Sequence, residues 1–135
     1  MSFRELPHTA DIKIEAHAPT MELLFSEACN ALMQIMYGKD RRPRNTLELV
    51  VDADDTEALL TDFLSEVLFR SEVEGQVFSD TTVHIDGSHL HAVMHGEPFD
   101  RNRHSGGTEV KGISYSGMSV IRDTNGYMLE ILFDV

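Results

Sequence analysis

The chain has 135 residues, 41% of them hydrophobic and 25% charged, which suits one globular domain over residues 1–135 and excludes a disordered chain. Its single cysteine excludes a disulfide framework, no apolar run is long enough to span a membrane, and the start lacks a signal-peptide core, so we expect a cytoplasmic protein. Eleven lysines and arginines against 23 aspartates and glutamates give a net charge of −12, which argues against a protein that holds nucleic acid by its own phosphate contacts.

The first predicted elements are a strand and a helix. Apolar and polar residues alternate over residues 12–16, the period of a strand with one buried face. Over residues 21–36 the apolar positions recur at spacings of three and four, which predicts an amphipathic helix. Thr20 is placed to cap the N-terminus of this helix, and Gly38 is placed to end it.

A second strand and a second helix follow in the sequence. Residues 47–51 predict the strand. The helix is predicted to start after Asp54 as its N-cap, with Glu57 completing a capping box, and to end before Gly75. Its apolar positions over residues 59–68 share one face. Both helices are therefore expected to pack against the strands through one apolar face.

Beyond residue 76 the apolar residues take the period of strands. The segments with this period are residues 83–85, 90–94, 110–115, 118–121 and 128–135, and the pairs Asp86-Gly87, Ser116-Gly117 and Asn125-Gly126 are typical hairpin turns between them. Residues 98–107 are predicted to form a mobile loop with few apolar anchors. The order strand, helix, strand, helix and then a β-meander predicts an α+β fold, with two helices packed on a largely antiparallel β-sheet layer or pair of sheets.

Acidic residues stand at two of the predicted strand ends. Asp11 lies at the mouth of the first predicted strand, on the face opposite its apolar side chains. Asp134 and the main-chain carboxylate of Val135 directly follow the last apolar strand. Adjacent carboxylates repel one another until water, a basic side chain or a cation relieves the repulsion, and hard oxygen ligands of this kind suit Ca²⁺, Mg²⁺ or Mn²⁺. The pattern alone leaves a divalent-metal site and ordinary solvated acids equally open.

The remaining candidates for chemistry are a lysine and three histidines. Lys111 lies inside a predicted strand, where a solvated charge is the ordinary outcome and contact with the carboxylates or with a partner's phosphate is the functional alternative. His89, His91 and His95 share one strand face by parity, but no metal-binding histidine motif or cysteine pair accompanies them, so titrating surface histidines are expected. The sequence contains neither a Gly-x-Ser-x-Gly nucleophile turn nor a glycine-rich phosphate loop.

Four segments of the chain resemble the archease family in order and spacing: residues 8–12, 59–64, 109–115 and 132–135. Each segment is short, but together they extend over nearly the whole chain. The resemblance implies a compact α+β fold and an accessory protein that is not itself an enzyme. It implies a role in tRNA splicing, as an activator that promotes guanylylation and multiple turnover of an RtcB-type RNA ligase. The tRNA would then be reached only through that ligase.

The resemblance also implies roles for individual residues. It implies a divalent metal ion, expected to be Ca²⁺ with Mg²⁺ or Mn²⁺ as alternatives, held by Asp11, Asp134 and the terminal carboxylate of Val135. It implies a functional or partner-contacting role for Lys111. These are the same residues whose roles the pattern alone left open.

Two positions depart from the family pattern. Gly112 stands where alanine is common, and Ser116 stands where many members have histidine. Neither is an expected ligand, and the two departures leave open whether the surface that meets a partner has diverged. Two other functions remain open from sequence: the carboxylates and their ion could activate water for phosphoester hydrolysis, or the chain could be a chaperone-like binding module with an exposed apolar patch.

Overall fold

The structure, a computed structural model, describes residues 1–6 and 11–135, except for the side chains of residues 116 and 117. The elements in chain order are β1 (Ser2–Leu6), β2 (Ile12–Ala18), α1 (Met21–Tyr37), β3 (Asn45–Asp52), α2 (Thr56–Glu74), β4 (Gln76–Asp86), β5 (His89–Pro98), α3 (Arg101–His104), β6 (Gly112–Asp123) and β7 (Gly126–Asp134). No helix in the described part of the chain is long and apolar enough to cross a bilayer.

The strands form two antiparallel sheets, which confirms the α+β fold. Sheet A has the order β1-β2-β7-β6, and sheet B has the order β3-β5-β4. The predicted meander is therefore divided, because the β4–β5 hairpin joins sheet B whereas the β6–β7 hairpin joins sheet A. The inner strands β2, β7 and β5 have a hydrogen-bonded neighbour on both sides, so they place residues more firmly than the edge strands do.

The helix α1 begins and ends where its sequence signals predict. The Thr20 hydroxyl accepts a hydrogen bond from the backbone N–H of Leu23 at 3.2 Å, so one exposed helix-start donor is satisfied. At the other end the backbone N–H of Gly38 donates to the carbonyl of Gln34 at 2.9 Å. Gly38 has φ of 86°, a conformation that favours glycine.

The helix α2 starts one residue later than predicted. Asp55 is the N-cap, and its carboxylate accepts from the backbone N–H of Ala58 at 2.8 Å. The predicted capping box between Asp54 and Glu57 is therefore wrong, because two neighbouring aspartates can both cap and the second one does. The predicted end of the helix is confirmed by Gly75, which has left-handed φ and ψ of 66° and 31°.

The core lies between the two helices and the two sheets. Both α1 and α2 contact strands of sheet A and of sheet B, so the helices join the sheets. Phe25 of α1 and Phe63 of α2 are fully buried and stack with ring centroids 6.2 Å apart. Burying a side chain of this size contributes on the order of 2–3 kcal/mol to folding, so these rings are major contributors to the helix–helix contact.

The strand β6 corrects the predicted turn and the predicted position of the lysine. It runs without a break from Gly112 to Asp123, so the hairpin turn predicted at residues 116–117 is wrong. Its register with β7 shifts between Ser114 and Ser119, and the predicted turn falls inside that irregular stretch. A glycine inside a strand, here Gly117, often marks such a bulge. Lys111 lies just before the strand rather than inside it.

Two further segments differ from their predictions. The strand β1 precedes the predicted first strand and pairs with it, with Phe3 opposite Ala16. Residues 98–107, predicted as a mobile loop with few anchors, contain α3, and His104 at its end is 1% exposed. The imidazole Nδ1 of His104 accepts from the backbone N–H of Asp100 at 2.9 Å. A buried, hydrogen-bonded side chain thus anchors this segment.

Candidate functional site

The expected metal-site residues come together at one end of sheet A. In the β2–β7 pair, Ile12 lies opposite Phe133. Asp11 directly precedes Ile12 and Asp134 directly follows Phe133, so the two aspartates are neighbours across the strands. Side chains opposite one another in antiparallel strands have Cβ atoms about 5 Å apart, close enough for two carboxylates to share one cation.

The alternation of side chains directs these aspartates away from the core. Ile14 and Ile131 are buried on the face of sheet A that the helices cover. Asp11 and Asp134 have the opposite parity, and Asp134 is exposed whereas Asp11 is half-buried. Val135 has the parity of the buried face, and its side chain packs against the core. That contact holds the last residue beside the aspartates.

Lys111 is tied to the same end of the sheet by its backbone. The residue after it, Gly112, lies opposite Asp134, and the backbone N–H of Lys111 donates to the carbonyl of Asp134 at 2.7 Å. The lysine side chain is exposed. Within residues 1–6 and 11–135, the side chains of Lys111, Asp11 and Asp134 form no ion pair with one another or with other residues.

A tyrosine and a helix cap border this end of sheet A, and the sequence did not single them out. The hydroxyl of Tyr115 on β6 donates to the carboxylate of Asp55, the N-cap of α2, at 3.4 Å. The negative charge of Asp55 raises the pKa of Tyr115 above its ordinary value, so the phenol keeps its proton. This contact ties the start of α2 to the strand that follows Lys111.

The donor atoms at this end fit a hard divalent cation. Carboxylate oxygens are the ligands that Ca²⁺ and Mg²⁺ prefer, and no thiol or imidazole of a described residue belongs to the cluster. Among the side chains that the structure describes, no three from His, Cys, Asp and Glu converge on one point. A cation here would therefore depend on Asp11, Asp134, the terminal carboxylate of Val135 and further oxygens from water or a partner.

The three histidines predicted to share a strand face lie on β5 of sheet B, not at this end of sheet A. His89 contacts the carboxylate of Asp52 at 2.8 Å, and His95 contacts the hydroxyl of Thr46 at 3.1 Å. His91 lies 3.7 Å from a carboxylate oxygen of β3. All three are partly or fully exposed, which confirms their predicted place on the surface.

Sequence reasoning missed a second polar cluster, which surrounds Glu97 near the end of β5. Glu97 is 1% exposed, and the guanidinium of Arg103 donates hydrogen bonds to both of its oxygens, one of them at 2.9 Å. The backbone N–H of Arg42 donates at 2.8 Å, and the guanidinium of Arg44 lies 3.8 Å away. The Arg103 hydrogen bond is the largest cause that lowers the pKa of Glu97, to about 2.

The sequence matches a known family over nearly its full length. The profile of the archease protein family matches residues 3–135. A protein archease from Methanopyrus kandleri is 35% identical over 140 residues, which cover all of both chains. A protein archease from Thermococcus gammatolerans is 36% identical over 134 residues, covering 95% of this chain and 94% of the relative. A protein archease-like from Drosophila melanogaster is 30% identical and covers all of this chain and 91% of its own.

Two solved structures share the fold. The solution structure of protein 1598 from Methanobacterium thermoautotrophicum superposes with a TM-score of 0.80, at 22% identity and 98% coverage of both chains. The crystal structure of an archease from Thermotoga maritima, described as a possible chaperone, superposes with a TM-score of 0.68 at 20% identity, covering 98% of this chain and 96% of its own. At these identities the likeness supports the two-sheet α+β architecture.

Proposed function

The chain belongs to the archease family, and from that premise we propose that it is a metal-binding accessory protein that activates an RtcB-type tRNA-splicing RNA ligase. It promotes guanylylation and multiple turnover of the ligase and carries out no reaction of its own. Its proposed setting is the cytoplasm, where its free Cys29 would stay reduced. The tRNA is bound by the ligase.

One observation carries this proposal: residues far apart in sequence meet at one end of sheet A. The β2–β7 and β6–β7 pairings bring Asp11, Asp134 and Lys111 together. Two neighbouring acids and a lysine without ion-pair partners among the described residues are groups left available for a ligand or a partner.

The proposed roles follow from the chemistry of each group. Asp11, Asp134 and the terminal carboxylate of Val135 supply anionic oxygens for a divalent cation, Ca²⁺ in the first instance, with Mg²⁺ or Mn²⁺ as alternatives. A cation bound there would supply positive charge at the tip of sheet A. Lys111 does not ligate a hard cation, so its ammonium is free to pair with a phosphate or carboxylate of the ligase.

The overall charge supports docking to an enzyme that handles RNA. The net charge of −12 repels the phosphates of RNA over most of the surface. The same charge attracts the basic surface that such a ligase needs for its RNA substrate. Complementary charge of this kind raises the association rate and orients the two proteins. The tip of sheet A, where the cation would lie, is the proposed point of contact.

The direct test of this role is a guanylylation assay with purified ligase, GTP and Mn²⁺, without RNA. We expect Lys111→Ala to abolish the stimulation that the wild-type chain gives. Lys39→Ala, a matched exposed lysine away from sheet A's tip, should stimulate normally. Equal stimulation by all three proteins would contradict the assigned role of Lys111, and no stimulation by the wild type would contradict the proposed function.

A second test uses the end of the chain. Adding a short Gly-Ser extension after Val135 replaces its carboxylate with an amide, whose oxygen is neutral. We expect this folded variant to lose ligase stimulation, whereas the same extension before Met1 should leave it intact. Full stimulation by the C-terminally extended protein would exclude the terminal carboxylate from the site.

One observation favours a chaperone-like binding module as a second candidate. Phe69 and Val73 lie one turn apart on α2 and are 54% and 66% exposed, which is an unusual exposure for large apolar side chains. Suppression of the aggregation of a heated client protein would measure this activity. We expect it to fall in a Phe69→Ser, Val73→Ser variant if the module exists, with ligase stimulation unchanged.

A further inference from the structure

The few positive charges of this acidic chain are concentrated in two short segments. Six of its 11 lysines and arginines lie in residues 39–44 and 101–103. The net charge of the whole chain does not show this local concentration. An overall negative charge therefore does not prevent nucleic acid from binding at this surface. The six residues are called the basic patch below: Lys39, Arg41, Arg42, Arg44, Arg101 and Arg103.

The two segments are in contact, which makes the basic patch a single surface. The guanidinium of Arg103 donates to the main-chain carbonyl of Asp40 at 3.3 Å. The buried imidazole of His104 contacts the same carbonyl through Nε2 at 3.0 Å. The backbone N–H of Arg44 donates to the carbonyl of Gly96 at 2.8 Å, which fixes the first segment to β5. The patch is thus held by main-chain contacts.

The acids near the patch neutralise only part of its charge. Arg103 and Arg44 both point to the same oxygen of Glu97, so one buried carboxylate faces two guanidinium groups. Asp40 pairs with Arg42 at 3.2 Å, and Asp100 pairs with Arg103 at 3.2 Å. In the described chain, Lys39 and Arg101 form no ion pair, and both are exposed.

The arginine at position 41 is used within the fold. Its guanidinium donates to the main-chain carbonyl of Phe78 at 2.8 Å and also contacts Gly38 and Asn30. The guanidinium groups of Arg41 and Arg103 are therefore used in contacts within the fold. The four other members of the patch present their charge to solvent: Lys39, Arg42, Arg44 and Arg101.

An exposed aromatic ring lies just before the second basic segment in the chain. Phe99 is 47% exposed, and its ring is held from behind by the rings of Tyr37 at 6.0 Å and His104 at 5.9 Å. Its backbone N–H donates to the carbonyl of Gly75 at 2.8 Å, so the residue is fixed in position. A half-exposed phenyl ring on a surface that also presents cations is a typical platform on which an unpaired base stacks.

We propose that the basic patch and Phe99 bind single-stranded RNA directly, with phosphates on Lys39, Arg44 and Arg101 and one base stacked on Phe99. This goes beyond the proposed function, in which RNA is bound by the ligase alone. Interfaces with a protein partner have an apolar core that excludes charge, whereas this surface has one exposed ring and four exposed cations. That arrangement favours a phosphate backbone with accessible bases over an acidic protein or a second copy of this chain.

The test is binding of a fluorescein-labelled oligouridylate to the isolated protein, measured by anisotropy at increasing KCl. The variant Lys39→Gln, Arg44→Gln, Arg101→Gln removes three exposed cations from the patch. The control Arg4→Gln, Arg70→Gln, Arg122→Gln removes three from elsewhere and has the same net charge. We expect the patch variant to bind about tenfold more weakly at low salt, with a salt slope less steep by about 2, and the control to resemble the wild type.

The same experiment also tests the stacking of a base on Phe99. Phe99→Ala should weaken oligouridylate binding severalfold but leave binding of inorganic polyphosphate, which has no bases, unchanged. Phe69→Ala, the loss of an exposed ring on α2, should change neither. Equal loss of oligouridylate binding in the two triple variants would overturn the proposal. Oligouridylate binding that Phe99→Ala leaves unchanged would also overturn it. So would sedimentation showing that the wild type self-associates and the patch variant does not, because the occupant would then be a second copy.

Discussion

Each sheet carries an acid near the C-terminal end of an inner strand, and the two acids have opposite surroundings. Glu97, near the end of β5 in sheet B, is buried and receives hydrogen bonds from Arg103 and from the backbone of Arg42. Asp134, at the end of β7 in sheet A, is exposed beside Asp11. Neither aspartate forms an ion pair within the part of the chain that the structure describes.

The difference separates an acid that holds the fold together from acids that are available for function. A buried carboxylate is stable only when charged partners compensate it, and at Glu97 the fold supplies them. The acids at the tip of sheet A receive no such compensation from described side chains. The fold therefore places two carboxylates at opposing strand ends without a described basic side chain paired to them, an arrangement that suits an external cation.

The largest expected effect on stability is at Glu97, whose charge the fold compensates. Glu97→Gln removes the buried carboxylate that Arg103 contacts and leaves this guanidinium with the more exposed Asp100 and Asp40, at 3.2 Å and 3.5 Å, so we expect the free energy of unfolding to fall by about 3 kcal/mol. Urea denaturation followed by circular dichroism measures it. An unchanged midpoint would mean that the Glu97 cluster is no more important to the fold than a surface ion pair.

The pH dependence of stability should report the same cluster. The pKa of Glu97 is lowered from 4.5 to about 2 in the folded protein, so its contribution is fully present above about pH 4.5 and is lost as the pH falls toward 2. We expect wild-type stability to fall steeply over this window and the fall to be shallower in Glu97→Gln. Urea titrations from pH 6 to pH 2.5 give both curves, and curves of equal slope would exclude Glu97 as the cause.

The smallest expected effect on stability is at Asp11 and Asp134, whose charges no described side chain compensates. Asp11→Asn and Asp134→Asn should each change the free energy of unfolding by less than about 0.5 kcal/mol, with a small gain where repulsion is relieved. Asp86→Asn, at an exposed strand end in sheet B, is the matched control. A loss of several kcal/mol at Asp11 or Asp134 would show that these acids serve the fold, and the comparison with Glu97 would fail.

The sequence predicted the elements whose signals are local. Both helices, their glycine ends and the Thr20 cap follow from periodicity and capping residues within a few positions. The strand β1 was missed because it is an edge strand whose burial follows no two-residue period. Residues 116–117 predict a turn because a Ser-Gly pair at a bulge has the same sequence signature as a hairpin turn.

The two polar sites differ in how far the sequence revealed them. Asp11 and Asp134 stand next to apolar strands, so their positions at strand ends could be predicted, whereas Lys111 was predicted inside a strand and lies just before one. The convergence of the three residues needed only the pairing of β2, β6 and β7. The Glu97 cluster is assembled from a loop, a strand end and α3. No periodicity links those segments, so only the tertiary structure places their charges together.

Calorimetric titration of Ca²⁺ into the wild-type protein, Asp11→Asn and Asp86→Asn tests the central claim most directly. The two aspartates lie at strand ends of different sheets. Comparing their variants therefore distinguishes binding at a specific site from attraction to general negative charge. We predict that wild type and Asp86→Asn bind Ca²⁺ with the same affinity and that Asp11→Asn binds about tenfold more weakly or not at all, since an anionic oxygen is lost from a site with few ligands. Binding by Asp11→Asn equal to that of the wild type, or no binding of Ca²⁺, Mg²⁺ or Mn²⁺ by the wild type, would contradict the account.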